Sequence, residues 1–446
     1  MDSQRETVVH WEWPAGSSEA ARRQRLRGIR RRLADDGVLV IGRAPVDAAG
    51  EVSAIGLLRR CGFAVERVDG HLLAHPLPVP PLALAVASWG TPPGVRLDLR
   101  YAPDEAAFLD PTPTSIWERF VGSAGHGGAE AVAGYPTDDP YGGERGAGAV
   151  ARFFGISLEP GQLTFAAGVT SLLHDLAGLA DGGAVASPEL SHPDLAAWAV
   201  SRGCAVHLLA GPATRERLQA HLEATRPALL HLDRPDFLGH FLPLQELGEV
   251  VRAVARCGAA VVIDESAAPY LGPAASAVGL VNDADNLVVL RGFTKGYSLG
   301  GMRTAFAVAS PAIAVQVREL VAPMQVSELA LLGAMTLLAT GDVFSPLRSR
   351  VRAVKPETIR LLRSAGIEVL DNHEHLPWVG LADPGGTASV LLEGRGIRAL
   401  RPVPASVYPT PRLDVLRLTI PLSEERIALF RGLLSGTAPE GDHEQP

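Results

Sequence analysis

The chain has 446 residues, of which 47% are hydrophobic and 20% are charged, so we expect a globular protein of two or three domains. Its formal net charge of -8 argues against a nucleic-acid partner or an anionic membrane surface, because nothing offsets repulsion from phosphates. No run of about 18 apolar residues occurs, and residues 1–20 are polar, so we expect a soluble cytoplasmic protein without a membrane span.

Two scarce residue types carry information. Cys61, Cys204 and Cys257 lack the short spacing of metal ligands, so we predict reduced thiols and no metal site. Among 41 basic residues only Lys295 and Lys355 are lysines. A guanidinium stays protonated, whereas an amine can lose its proton and attack a carbonyl group. Lys295 is therefore a candidate nucleophile.

Residues 1–75 are predicted to form a small accessory α/β module, followed by a proline-rich linker at 76–97. The predicted elements of the module are a basic helix at 22–33, a strand at 37–42, a helix at 52–61 and a strand at 64–68. The last 45 residues or so of this piece resemble the end of a class I methyltransferase domain, although no glycine-rich cofactor loop is present.

Residues 98–330 alternate strand-like and helix-length segments, which predicts βαβ units in a mostly parallel sheet flanked by helices. The strand-like segments are 184–187, 205–209, 228–232, 259–263 and 286–290. A smaller α+β domain is expected at 331–435, and a disordered polar tail at 436–446. The predicted fold class is thus α/β with a small C-terminal domain.

The stretch 291–303 reads RGFTKGYSLGGMR and directly follows a predicted strand. Lys295 then lies at a strand's carboxyl end, where open α/β sheets bind ligands, and Arg303 can pair with a phosphate. The stretch resembles the R-x-F-S-K-x-x-x-L-x-G-x-R signature of fold-type I aminotransferases, including the histidinol-phosphate branch. This resemblance implies that pyridoxal 5′-phosphate forms a Schiff base with Lys295, with Thr294 among the cofactor-binding residues and Arg303 on the phosphate.

Asp264 ends the apolar run Val261 to Ile263, and a buried carboxylate at a strand end is costly unless it is paired. The family carries V-D-E-A-Y at this place, with its lysine about 30 residues later; here the interval is 295 − 264 = 31. The resemblance implies that Asp264 pairs with the protonated pyridine nitrogen and keeps the ring electron-withdrawing.

Further positions resemble the family's cofactor-binding elements. Gly168, Val169 and Thr170 open a predicted helix and resemble the phosphate loop, because free backbone amides at a helix start bind anions. His192 lies near the position of the aromatic residue that stacks on the cofactor. Tyr135 resembles the tyrosine that reaches the neighbouring subunit's phosphate, which implies a homodimer.

Arg417 lies in the element LRLTI near the C-terminus, which resembles the family's L-R-[IV]-[ST]-[IV] strand. By resemblance its planar guanidinium binds the α-carboxylate of a small amino-acid-type substrate through two hydrogen bonds.

Three positions depart from the family pattern. Asp236 replaces the asparagine that donates to the cofactor's phenolic oxygen, and Ala267 replaces a tyrosine that contacts the same oxygen. Gly292 replaces a hydroxyl residue of the phosphate site. We consider Tyr270 and Tyr297 as substitutes for the missing hydroxyl.

These residues predict a pyridoxal-phosphate-dependent, aminotransferase-like enzyme acting on an α-amino acid or an amine derived from one, in specialised metabolism. An alternative is γ-replacement, elimination or carbon–carbon bond formation, with S-adenosylmethionine as one substrate to consider, because the scaffold alone does not select the reaction. A third reading is a catalytically inactive relative that serves as a scaffold.

Overall fold

The computed structural model describes residues 6–12, 33–42, 63–68, 71–76, 94–124, 133–402 and 413–437, with single positions at 22, 25, 26, 29 and 58. The described strands are β1 (Glu6–Glu12), β2 (Leu33–Gly42), β3 (Phe63–Val68), β4 (His71–Pro76), β5 (Leu97–Asp98), β6 (Leu163–Ala166), β7 (Val185–Pro188), β8 (Val206–Leu209), β9 (Leu229–Asp233), β10 (Ala260–Asp264), β11 (Leu287–Gly292), β12 (Ala305–Ala309), β13 (Val369–Leu370), β14 (Trp378–Ala382), β15 (Ile397–Arg398) and β16 (Val415–Thr419).

The described α-helices are α1 (Pro113–Ala124), α2 (Gly143–Phe154), α3 (Val169–Leu176), α4 (Pro193–Ser201), α5 (Arg215–Thr225), α6 (Leu244–Arg256), α7 (Ala314–Leu320), α8 (Glu328–Thr340), α9 (Ser345–Ser364), α10 (Thr387–Gly394) and α11 (Glu424–Ser435). No single described helix has the length and apolar character to cross a membrane, whereas α8 and α9, bent by 70° from each other, meet that test as a pair.

The N-terminal strands form a sheet of their own in the order β1-β2-β4-β3. Its core includes Trp11, Leu39, Ile41 and Phe63. β1 and β2 are parallel, while β4 lies antiparallel to both β2 and β3. The predicted strands at 37–42 and 64–68 are confirmed, but β1 and β4 were not predicted. Because β2 and β3 are both antiparallel to β4, they run parallel to each other, and Leu58 between them is helical, so the predicted strand–helix–strand order is observed with β4 inserted between the two strands.

The central sheet confirms the predicted α/β class. Seven strands are ordered β6-β12-β11-β10-β9-β7-β8, and all pairs are parallel except those that β12 makes with β11 and β6. Both faces are covered: Val261 and Ile263 of β10 pack in one hydrophobic core, and the intervening Val262 packs in a second. Burial on both faces explains why these strands read as continuous apolar runs.

The C-terminal domain contains the antiparallel sheet β13-β14-β16 with α9, α10 and α11. Residues just after the predicted linker belong with this domain, because β5 pairs with β15. Thr419 also donates to the Leu99 carbonyl through its amide (2.8 Å) and hydroxyl (2.6 Å), and the Asp104 carboxylate accepts the amides of Leu422 and Ser423. The segment that begins at Leu97 therefore packs on the small domain, although it was predicted to belong to the large domain.

A buried charge cluster anchors the large domain beneath the carboxyl edge of the sheet. Glu265 is fully buried and pairs with Arg234 (2.8 Å) and Arg291 (3.2 Å), and it also accepts the amide of Ala277 (2.8 Å) and the hydroxyl of Ser276.

We expect Glu265→Gln to lower the free energy of unfolding by about 3–5 kcal/mol, because two buried guanidinium groups lose their counter-ion. Thermal unfolding measures the change. The matched control is Glu216→Gln, which removes an exposed ion pair with Arg215 and should leave the unfolding midpoint nearly unchanged. Equal midpoints for the two variants would contradict the anchoring role.

Candidate active site

The carboxyl ends of β9, β10 and β11 bring the central acidic and basic residues together. Asp264 and Asp233 end adjacent parallel strands and are paired in register, and Lys295 follows β11 in the loop before β12. The predicted position of Lys295 at this edge of the sheet is therefore observed. Asp233 and Asp264 are 31 residues apart in the sequence, and the pairing of β9 with β10 brings them together.

The Lys295 side chain is exposed at this edge, and its Nζ donates to the Ser266 hydroxyl at 3.2 Å. Its neighbour Gly296 has a φ of +70°, and a Cβ there would lie 2.8 Å from the Phe344 ring. A side chain at position 296 would be both strained and obstructed. The turn at Gly296 therefore packs closely against Phe344, the residue before α9, while the Lys295 side chain stays exposed.

Asp264 is 2% exposed, and only one of its two carboxylate oxygens is used. Oδ1 accepts the Ser266 amide at 2.8 Å, whereas Oδ2 has no hydrogen-bond partner among the described residues. A buried unpaired carboxylate oxygen is costly, so this geometry points to a missing donor.

The predicted phosphate residues also meet. Gly168 has a φ of +97° and caps α3, whose first turn contains Val169 and Thr170. A Cβ on Gly168 would lie 2.5 Å from Nη2 of Arg303, so the missing side chain lets the guanidinium approach the helix start. Thr294 is exposed on the same loop as Lys295. Backbone amides, a guanidinium and hydroxyls of this kind suit a phosphate group.

Gly292 closes the same region. A Cβ there would lie 2.9 Å from Cγ2 of Val169, so a larger residue at 292 would push against the start of α3. Val169 thus occupies the space that the side chain of the family's hydroxyl residue would need at position 292.

Three residues of a cluster lie close to Asp264: His192, Asp233 and His231. Of these three, only His192 was predicted as a site residue. The His192 amide donates to the Asp233 carboxylate at 2.9 Å, and Nε2 of His231 lies 3.4 Å from Oδ1 of Asp233. Burial raises the pKa of Asp233 well above its usual value, and the charge of Asp264 raises it further. Ligand-type atoms of His231, Asp233 and Asp264 lie within 4.8 Å of one another, so the Asp233 carboxyl group shares its buried environment with a second acid.

His192 caps α4 and is linked to a second buried acid, Asp194. Nδ1 of His192 accepts the Asp194 amide at 3.4 Å, which leaves the proton of the neutral ring on Nε2. Burial lowers the pKa of His192 and raises that of Asp194. Both carboxylate oxygens of Asp194 lack hydrogen-bond partners among the described residues, although Oδ2 lies 3.8 Å from Nδ1 of His192. A neutral imidazole with a free Nε2–H is therefore available beside Asp264.

Arg417 lies on β16 opposite Gly380 of β14. Its guanidinium carbon is 5.0 Å from the Phe237 ring centre and 5.3 Å from the Trp378 ring, so two aromatic faces hold it. It forms no ion pair in the part of the chain that the structure describes, and its Nε lacks a hydrogen-bond partner there. An unpaired cation between aromatic walls is suited to bind an incoming carboxylate.

Comparison with known proteins decides the family. The model of the family "Aminotransferase class I and II" matches residues 138–429, which is well over half of the chain. The chain belongs to the class I and II aminotransferases. This membership confirms the predicted fold-type I architecture and gives pyridoxal 5′-phosphate as the cofactor.

Relatives of known name cover this chain only in part. An aromatic amino acid aminotransferase of Mycobacterium ulcerans is 33% identical over 192 residues, which is 42% of this chain and 50% of that protein. A histidinol-phosphate aminotransferase of Archaeoglobus fulgidus is 32% identical over 115 residues, 26% of this chain and 33% of that protein. The chain thus spans half or less of the length of these two relatives.

Solved structures share the fold at low identity. Histidinol-phosphate aminotransferase from Sinorhizobium meliloti, in complex with pyridoxal-5′-phosphate, has a TM-score of 0.62 at 20% identity, covering 81% of this chain and 95% of that one. L-Threonine-O-3-phosphate decarboxylase from Porphyromonas gingivalis has a TM-score of 0.59 at 17% identity, covering 76% and 98%. The same fold therefore carries more than one reaction.

The residues of this aminotransferase-family chain fit the cofactor. The unpaired Oδ2 of Asp264 supplies the acceptor that a protonated ring nitrogen needs, and Gly168 with Arg303 forms a cradle that any Cβ would fill. Lys295, at the same edge of the sheet, would supply the amine for a covalent link.

Two residues considered as cofactor contacts make hydrogen bonds of their own. Oδ1 of Asp236 accepts the amides of Leu238, Gly239 and His240 at 2.8–2.9 Å and so closes a local turn, while Oδ2 lies 3.5 Å from Nδ1 of His240. Tyr270 donates its hydroxyl to Glu105 at 2.6 Å and is thus engaged away from Lys295. The described hydroxyl that contacts the Lys295 amine is that of Ser266.

Tyr135 is 86% exposed, which is unusual for a large aromatic side chain. This exposure agrees with the predicted contact of Tyr135 with a neighbouring subunit, which stays a prediction.

Proposed function

We propose that this protein transfers the amino group of an α-amino acid, using pyridoxal 5′-phosphate held on Lys295. The observation that carries the proposal is Arg417, a cation without a counter-ion between two aromatic rings in the same site as Lys295 and Asp264. A role in specialised metabolism is part of the proposal, supported by the departures from the family pattern at Asp236 and Ala267.

Each residue has a definite task in this reaction. Pyridoxal phosphate, when bound, supplies an electron-withdrawing ring that stabilises negative charge at the substrate's α-carbon. Arg417 binds the substrate carboxylate and orients the α-carbon. Nζ of Lys295 takes the substrate's α-proton and later returns a proton, as general base and then general acid. Asp264 would pair with the protonated ring nitrogen through its unpartnered Oδ2, and Arg303 with the start of α3 would hold the phosphate.

The experiment is a single-turnover assay of the holoenzyme with a panel of amino acids, beginning with phenylalanine and tyrosine because relatives are named aromatic amino acid aminotransferases. Transamination predicts stoichiometric conversion of the cofactor to pyridoxamine phosphate together with the matching 2-oxo acid. Product formation without pyridoxamine phosphate would contradict transamination.

Arg417→Gln is expected to raise KM for amino acids roughly 10²-fold with a smaller change in kcat, because a charge-assisted pair of hydrogen bonds worth about 3 kcal/mol is lost. Arg417→Lys serves as the matched control. It keeps the positive charge but not the planar pair of hydrogen bonds, so its KM should lie between those of wild type and Arg417→Gln. Unchanged KM in Arg417→Gln would show that another group binds the carboxylate.

Elimination or replacement chemistry is the second candidate, with S-adenosylmethionine among its test substrates. It is favoured by the absence of both family partners of the phenolic oxygen, since Asp236 closes its own turn and Ala267 has no hydroxyl. The same assay decides between the two, because elimination or replacement releases product while the cofactor returns unchanged.

A homodimer is also part of the proposal. Trp117 and Val121 lie one turn apart on α1 and are 46% and 51% exposed, and Tyr135 follows at 86%. Exposed apolar side chains at this spacing suit a subunit interface. Sedimentation velocity should give twice the chain mass of 46.9 kDa, and a monomer at micromolar concentration would contradict the proposal.

A further inference from the structure

A buried acid–phenol pair lies in the site without a role in the reaction described so far. The hydroxyl of Tyr270 donates to Oε2 of Glu105 at 2.6 Å, and the two residues are 5% and 6% exposed. Tyr270 follows β10 in the large domain, whereas Glu105 lies on the segment from Leu97 that packs on the small domain. The hydrogen bond therefore joins the two domains.

The pair lies between the amine and the guanidinium of the site. A Cβ on Gly296, the residue after Lys295, would lie 3.5 Å from Cζ of Tyr270, so the phenol packs against the Lys295 turn. On its other side the Tyr270 ring meets the Trp378 ring at 5.6 Å. That Trp378 ring is one of the two that hold Arg417.

The charges around Glu105 are few. The titratable or charged groups that act on it are Tyr270, Asp104 and Arg417, and Arg417 has no carboxylate partner among the described residues. Burial raises the pKa of Glu105 to about 8, with Asp104 adding to the rise and the Tyr270 hydrogen bond and Arg417 opposing it. At neutral pH the carboxyl group is thus mostly protonated, and Arg417 keeps its full charge for a ligand.

We propose that Glu105 is a positioning residue of the carboxylate subsite: held by Tyr270 near Arg417, it must be neutral for Arg417 to bind a substrate carboxylate with full affinity. This rests on the proposed function of Arg417. An ionised Glu105 provides Arg417 with an internal anion that competes with the substrate's own carboxylate.

Linkage fixes the sign of the effect. A bound substrate carboxylate neutralises Arg417, which raises the pKa of Glu105 further, so protonation of Glu105 and substrate binding favour each other. Affinity is therefore highest below the free-enzyme pKa of about 8 and falls as pH rises through it. A coupling at the low end of the usual range corresponds to a loss of roughly fivefold.

The test measures the dissociation constant of 3-phenylpropionate for the holoenzyme by calorimetry between about pH 6.5 and 9.5. This probe has a carboxylate but no amine, so the titration of a substrate amino group does not enter. We expect the wild-type constant to rise fivefold or more across the range. Glu105→Gln, which is always neutral, should bind as tightly as wild type at low pH and show no such rise.

Tyr270→Phe provides a second variant that keeps the ring packing. Loss of its hydrogen bond removes a group that lowers the Glu105 pKa, so the rise should move to higher pH. 2-Phenylethylamine, which lacks a carboxylate, is the matched ligand, and its affinity should not differ between wild type and Glu105→Gln. A wild-type constant that is flat with pH, or an equal rise in Glu105→Gln, overturns this inference alone. Failure of the wild type to bind the probe at any pH contradicts the assignment of Arg417.

Discussion

Lys295→Ala is expected to abolish the visible absorption of the bound cofactor and to lower turnover by at least about 10³-fold, because no other described amine lies at the carboxyl ends of β9, β10 and β11. The variant should retain the unfolding temperature of the apo protein, since the Lys295 side chain is exposed and makes one hydrogen bond. Absorption spectra before and after borohydride treatment, with a steady-state assay, measure both effects.

The chain's other lysine offers the matched control. Lys355 is buried in the small domain, where Nζ donates to Oδ1 of Asn372 (2.6 Å) and to the carbonyls of His373 (2.7 Å) and Leu376 (3.0 Å). Burial lowers its pKa to about 8. Lys355→Met should lower the unfolding temperature and keep the absorption band. A band that survives in Lys295→Ala, or disappears only in Lys355→Met, would contradict the assignment of Lys295, whereas wild-type protein without any such band would favour an inactive scaffold.

Asp264→Asn is expected to lower kcat by roughly 10²-fold or more and to weaken cofactor binding. The buried Oδ2 of Asp264 has no partner among the described residues, so a ring nitrogen that pairs with it depends on this one charge. Loss of one member of a buried charged pair costs about 3 kcal/mol or more. Equilibrium dialysis of pyridoxal phosphate and steady-state kinetics give the two numbers.

Asp233→Asn is the matched control for that variant, because it changes the neighbouring carboxylate at the same edge of the sheet. Its Oδ2 already accepts the His192 amide at 2.9 Å, so an amide can keep that contact and the losses should be smaller. If Asp233→Asn proved the more damaging of the two, the ring nitrogen would have to pair with Asp233, and the assignment of Asp264 would be wrong.

The sequence predicted the parts of the molecule that depend on local pattern. The apolar runs at 228–232 and 259–263 correspond to β9 and β10, and Lys295 with Asp264 lies where a strand-end rule places ligands. The phosphate residues Gly168 and Arg303 also met as predicted, because both adjoin strand ends of one sheet.

What escaped prediction depends on contacts between distant segments. Nothing local marks His231 or Asp233 as neighbours of Asp264, since that follows from parallel pairing of β9 with β10. In the sequence Glu105 is an ordinary acid in a loop. Its hydrogen bond from the Tyr270 hydroxyl, 165 residues away, is seen only in the fold. For Asp236 the alignment predicts the position of the residue but not its hydrogen bonds, which here close a local turn.

The most direct measurement is peptide mapping by mass spectrometry after borohydride reduction of the holoenzyme. Reduction makes the link between the cofactor aldehyde and a lysine amine permanent, so the modified lysine can be located. The chain has two lysines, Lys295 and Lys355. The account predicts a phosphopyridoxyl adduct on the peptide that contains Lys295 and none on the peptide that contains Lys355. An adduct on Lys355, or an unmodified Lys295 in cofactor-saturated protein, would contradict it.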